Sequence, residues 1–155
     1  MTDSHEILLN EVRYAERLCL RTARLYRHAQ TVGVFVTVLS GSAAMSGLTS
    51  AAPPGLAIGG LIALSIFGAA MLAIRPAEKA VTNEVDAKRY AQLRTAAVAM
   101  DVPAFRAALA KAREIDAPEI ETLRDVAFND VVTEIGRHDL AVPLSVHQKL
   151  LAALA

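Results

Sequence analysis

The chain has 155 residues, with 16 Lys and Arg balanced by 16 Asp and Glu, and 54% of it is apolar although Trp is absent and aromatics make up 5%. Zero net charge excludes a basic nucleic-acid binder, and a mean hydropathy of +0.35 argues against an ordinary soluble domain. The single cysteine, Cys19, cannot form an internal disulfide, so no oxidising compartment is implied and the residue reads as packing.

Residues 5–29 predict a helix. Leu8, Val12, Ala15, Cys19, Thr22 and Tyr26 alternate spacings of four and three, the seam of a coiled coil with a soft patch at Thr22. Arg13, Arg17, Arg21, Arg24 and Arg27 form another row, read as a solvated face with Glu11 and Glu16 as local partners. A phosphorylated signal molecule is the alternative ligand for that row. Arg24 and Arg27 lie where a cytoplasmic basic segment meets anionic headgroups, an attraction of about 1 kcal/mol per residue.

From Ala29 to Ile74 there are 46 consecutive residues without a charge. One helix of that length would reach about 69 Å, more than twice a hydrocarbon core of about 30 Å. Two spans fit, one near Ala29–Thr49 and one near Gly55–Ile74, with a turn over residues 50–55 at Ala51-Ala52-Pro53-Pro54-Gly55. The second span is apolar on every side, whereas a buried soluble helix keeps some charge at its solvent edge. Arginines precede the first span, and Arg75, Lys79, Lys88, Arg89 and Arg94 follow the second, while the turn is uncharged. Both termini are therefore expected in the cytoplasm, with Arg24, Arg27, Arg75 and Lys79 at the headgroups. A signal peptide is a poor alternative, because the apolar run begins after a charged helix and a second span follows it.

Small residues recur at intervals of four within the spans: Gly33, Thr37 and Gly41; Ser42, Ser46 and Ser50; Gly55, Gly59 and Ala63. Helices in lipid associate through such faces by close backbone approach. Two readings stay open: packing within one hairpin, or a hydroxyl row of the first span lining a pore among several subunits.

After Pro76, a second cytoplasmic helix is expected over Glu78–Met100, with Ala80, Ala87, Ala91 and Val98 on one face, antiparallel to residues 5–29. Asp101 caps a helix over 102–115, with Pro103 in its first turn. Asp116 with Glu119 resembles a capping box for a helix stopped by Gly136, with a stripe of Ile120, Leu123, Ala127, Val131 and Ile135. Ser145 with Gln148 starts a last helix carrying Leu150, Leu151 and Leu154. The expected organisation is a cytoplasmic helix at 1–28, a two-span hairpin at 29–75, a pairing helix at 76–100 and C-terminal cytoplasmic helices at 101–155. The fold class is an all-α membrane protein: a transmembrane hairpin extended by antiparallel cytoplasmic helices and a small C-terminal helical bundle.

No catalytic pattern stands out. His5, His28, His138 and His147 are scattered without a metal-site spacing, and no phosphate loop accompanies the glycines. Asp125, Asp130 and Glu134 read as a solvated acidic face. The spans hold no ionisable residue and so suggest no proton relay. No enzyme activity, cofactor, metal or nucleic-acid partner is expected.

The order "YAERLCLRTARLYRHAQTVGVF", two spans on a tiny turn, "RPAEKAVTNEVDAKRYAQLRTAA", "DVAFNDVVTEIG" and "PLSVHQKLLAAL" resembles the SLATT family. These are two-transmembrane effectors associated with SMODS nucleotidyltransferases and SLOG domains in bacterial conflict systems. The resemblance spans nearly the whole chain through architecture and degenerate residues. It implies an oligomeric pore-forming or membrane-perturbing effector of the bacterial inner membrane, used in defence against phage and triggered by a nucleotide signal or another cue. No cyclic-nucleotide-binding domain is recognisable in these residues, so a protein partner, the membrane state or expression itself is an expected trigger. The alternative function is a non-conducting anchored scaffold whose helical tail recruits a cytoplasmic protein.

Overall fold

Six α-helices and three short 3-10 turns make up the computed structural model, which describes residues 2–48 and 53–155, and among these residues there is no strand. The turn residues 51 and 52, together with Ser50, lie outside the described residues. Helix α1, Thr2–Leu48, runs unbroken through Gly33 and Gly41, since no proline interrupts it. Helix α2, Pro54–Ile74, starts on the pre-set backbone of Pro54, preceded by an extended Pro53 at φ −60° and ψ 143°. Its end is abrupt. Proline at 76 disfavours a right-handed helical conformation in Arg75, which instead turns left-handed at φ 50° and donates its N–H to the Met71 carbonyl at 3.1 Å. Helix α3, Pro76–Ala96, begins immediately afterwards and tightens into a 3-10 turn at Ala97–Ala99.

Two structural units divide the chain, Met1–Leu25 with Lys79–Ala155, and Tyr26–Glu78. In the first, the start of α1 runs between two apolar clusters. One joins Leu8, Val12 and Cys19 to Ala87 and Tyr90 of α3 and to Phe105, Leu109 and Ala112 of α4, Val102–Arg113. The other joins Leu18 to Leu123, Val126, Ala127 and Ala155, packing α5, Arg124–Glu134, and α6, Val146–Leu154, on the opposite side. His5 lies 3.0 Å from the Ala97 carbonyl, and Glu16 pairs with Arg94, which gives α1 and α3 an antiparallel order.

Capping chemistry sets most of the helix limits in this bundle. Asp101 accepts the Ala104 N–H at 2.9 Å, and Ser145 and Gln148 form a reciprocal capping box. Gly136 at φ 72° closes α5 in a Schellman arrangement, with Arg137 N–H on the Val132 carbonyl and Gly136 N–H on that of Thr133. Two details differ from the sequence reading. The helix anticipated from Asp116 begins only at Arg124 after a 3-10 turn, because the Asp116 carboxylate accepts the Tyr90 hydroxyl, while Asp86 takes the Ala117 N–H at 2.9 Å. On α3 the buried face is Ala80, Asn83, Asp86, Ala87 and Tyr90, continued by Ala97 in the 3-10 turn; Val98 is 88% exposed, because that turn changes the helical phase at that point.

The second unit inverts the usual arrangement. Its buried residues, among those described, are Gly33, Ser40, Gly60 and Pro76, and its large apolar side chains point outward, including Phe35, Leu39, Ile62, Ile66 and Leu72. Two helices of the chain are long and apolar enough to cross a membrane, and of their most apolar stretches only 11% and 6% is buried.

Candidate membrane-embedded site

Close packing of α1 on α2 depends on two glycines. A Cβ at Gly60 would stand 2.8 Å from both the Ser40 carbonyl oxygen and the Ala44 nitrogen, so the two backbones touch there. A Cβ at Gly33 would collide with the Met71 sulfur. The pairs Gly33 with Met71 and Ser40 with Gly60 run antiparallel, and Gly33, Thr37, Ser40 and Ala44 share one face of α1 by their spacing.

The anticipated small-residue rows separate on this geometry. Gly33 belongs to the seam, and Thr37 and Ala63 are half-buried. Gly41, Gly55 and Gly59 have open space where a Cβ would be, and Ser42 is exposed while Ser46 is half-buried. Ser40 and Gly60, absent from those rows, provide the contact of backbone against backbone. Gly59 and Gly60 are adjacent in the text, and only the register of α2 on α1 decides which one meets a neighbour.

Hydroxyl groups in the apolar helices turn back on their own backbones. Thr37 donates to the Gly33 carbonyl at 2.7 Å, Ser42 to Val38 at 3.0 Å, Ser46 to Ala43 at 2.8 Å and Ser65 to Leu61 at 2.8 Å. Each donor is thereby satisfied without water, while the oxygen keeps a lone pair that can accept from another group. The cations flanking the helices are exposed at Arg24, Arg27, Arg75 and Lys79. Arg75 stands 3.4 Å from Glu78, and Arg24 lines a cleft with Arg17, Arg21, Asp130 and Glu134.

The polar groups of the bundle pair over long sequence separations. Arg21 donates to both Asp130 oxygens at 2.8 and 2.9 Å and to the Ala152 carbonyl at 2.9 Å; Arg17 reaches Glu134 at 2.8 Å. Glu11 and Glu16 pair with Arg113 and Arg94, not with neighbouring arginines of α1. Arg17 and Arg21 of the row and the acids at 130 and 134 are therefore two halves of one interface, a pairing that spacing within each segment could not reveal. The Arg17 hydrogen bond holds the Glu134 carboxyl below its ordinary value.

A buried polar cluster lies beside these contacts. Asp86 forms an ion pair with Arg89 at 3.0 Å and accepts the Ala117 N–H, and Asp116 accepts from Tyr90. Burial raises the Asp116 pKa, with the nearby Asp86 charge adding to the effect, and burial likewise raises the Tyr90 hydroxyl. Burial pushes the Cys19 thiol up to about 12, so it stays protonated and unreactive at neutral pH. Among the described residues, no group of three His, Cys, Asp or Glu side chains stands close enough to hold a metal ion. No family model, curated protein or solved structure matches the chain.

Proposed function

We propose that the chain is a two-span protein of the bacterial inner membrane, with both termini in the cytoplasm, that assembles with its own copies and perturbs the membrane. The observation that carries the reading is the inverted unit Tyr26–Glu78, which buries Gly33, Ser40 and Gly60 and exposes Phe35, Leu39, Ile66 and Leu72. In water that surface would lose the apolar burial that stabilises a fold, whereas in lipid it is solvated and the helices hold together by close backbone contact.

Self-association and conductance are further steps in the proposal. Gly41, Gly55 and Gly59 leave open space outside the α1–α2 seam, and Ser42 lies exposed on the same helix as Gly41. A helix from another copy can approach there closely, and the hydroxyl oxygens can accept hydrogen bonds from it or from pore water. The resemblance of the helix order to that of the SLATT effectors supports a defensive role that ends in depolarisation. The test is membrane potential, read by a voltage-sensitive dye in bacteria expressing the chain beside an equally expressed Gly41→Leu variant. Depolarisation by the natural sequence alone is expected. Unchanged potential in both would contradict the pore reading and favour an anchored scaffold.

A further inference from the structure

The bundle Met1–Leu25 with Lys79–Ala155 carries two apolar surfaces that it does not cover itself. One is a groove of about 370 Å³ lined by Ile7, Tyr14, Phe128, Val131, Ile135 and Leu140. The other is a ridge on α6, where Val146 is 85% exposed and Leu150, one turn later, is 62% exposed. The opposite face of α6 is committed to its own bundle. Leu151, Ala152 and Ala155 pack against the Leu18 cluster, and Gln148 donates to Asp125 at 2.7 Å. The ridge therefore points away from its own α5 and cannot enter the groove that α5 helps to line.

We propose that the ridge of α6 from one copy seats in the groove between α1 and α5 of a second copy. Apolar anchors one turn apart on a helix, facing an apolar groove, are the recurring form of helix-in-groove recognition. Charge agrees with this pairing. Lys149, beside Leu150, and Glu6, beside Ile7 at the groove, are exposed and have no ion-pair partner among the described residues. The α6 segment from Ala141 onward carries no acidic side chain that would repel Glu6. Because each copy has one ridge and one groove, the contact can be made reciprocally by two copies or repeat head-to-tail from copy to copy, closing a ring if the rotation allows. This rests on the self-association in the proposed function and names the surfaces that carry it outside the spans.

The test is disulfide trapping in membranes from cells co-expressing two differently tagged full-length copies, one Leu150→Cys and the other Phe128→Cys. Oxidation should give a linked dimer carrying both tags. Cys19 is buried and protonated, so it does not compete. Glu6→Lys or Lys149→Glu alone should lower the linked fraction about threefold, as for an exposed ion pair, and the two together should restore it. The proposal is overturned by absence of a two-tag dimer, by Leu150→Cys linking only to itself, or by a Leu150 label quenched by lipid. Depolarisation without a two-tag dimer would overturn this contact alone, while a dimer without depolarisation would support the contact and contradict the pore.

Discussion

Phe105 and Phe35 are the same side chain in opposite settings. Phe105 is fully buried among Leu8, Val12 and Leu109, whereas Phe35 is 62% exposed on α1. Their neighbours follow the same division. In the bundle, charges form long-range pairs around apolar cores; in the hairpin, small and hydroxyl residues take the interior and branched apolar ones the outside. The proposed membrane setting of the hairpin accounts for the contrast by giving one chain two solvents. Water forces apolar groups inward, while lipid removes that force and leaves close packing and satisfied hydrogen bonds to hold the helices together.

The largest effect should separate the two phenylalanines. Phe105→Ala is expected to cost about 3–5 kcal/mol by loss of buried area and cavity formation. Phe35→Ala should stay within about 0.5 kcal/mol. Denaturant unfolding of the purified protein in detergent, followed by circular dichroism, measures both. Equal costs would erase the distinction between the regions.

Next come the two adjacent glycines. Gly60→Leu forces a side chain into the Ser40 carbonyl and the Ala44 nitrogen, and overpacking of this kind costs about 1–3 kcal/mol. Gly59→Leu meets nothing within 4 Å and should leave the hairpin intact. Disulfide trapping between cysteines placed at Gly33 and Met71, which meet across the seam, scored in liposomes for each variant, separates them. Loss of the link in Gly59→Leu and its retention in Gly60→Leu would reverse the assigned face.

Within the bundle, Arg21→Met removes a two-pronged pair with Asp130 and a bond to the Ala152 carbonyl, an expected loss of about 1.5–3 kcal/mol. The smallest effects depend on pH and have opposite signs. Asp116 has a raised pKa, so its contribution is present while it is protonated and is lost as pH climbs through that value. Asp116→Asn should match the natural chain in melting temperature at low pH and exceed it near neutrality. Glu134 has a lowered pKa, so its contribution holds above the ordinary carboxylate range and disappears as pH falls through the lowered value. Glu134→Gln should cost at most about 1 kcal/mol near neutrality and nothing in acid. Melting curves across pH for both variants check the signs.

Much of the helical order is legible in local chemistry. Pro53-Pro54, Asp101, Gly136 and the Ser145–Gln148 pair act on backbone groups within a few residues of themselves, so spacing alone reveals them. The charge-free run likewise declares two apolar helices. What the text conceals is set by register and by distant partners. Leu18 belongs to a second buried face of α1, visible only once the 3-10 turn before α5 supplies Leu123 and α5 supplies Val126. Asp116 looks like a cap until Tyr90, on another helix, engages its carboxylate. At the candidate site, a four-residue period marks several small faces equally well, and Ser40 against Gly60 emerges only from the docking of α1 on α2.

The most direct measurement is the accessibility of spin labels attached through cysteines at Phe35, Leu39, Ile62 and Ile66, with the protein reconstituted in liposomes. A hairpin solvated by lipid predicts labels that collide with dissolved oxygen and are shielded from a water-soluble nickel chelate. Labels at these four sites open to the chelate would contradict it.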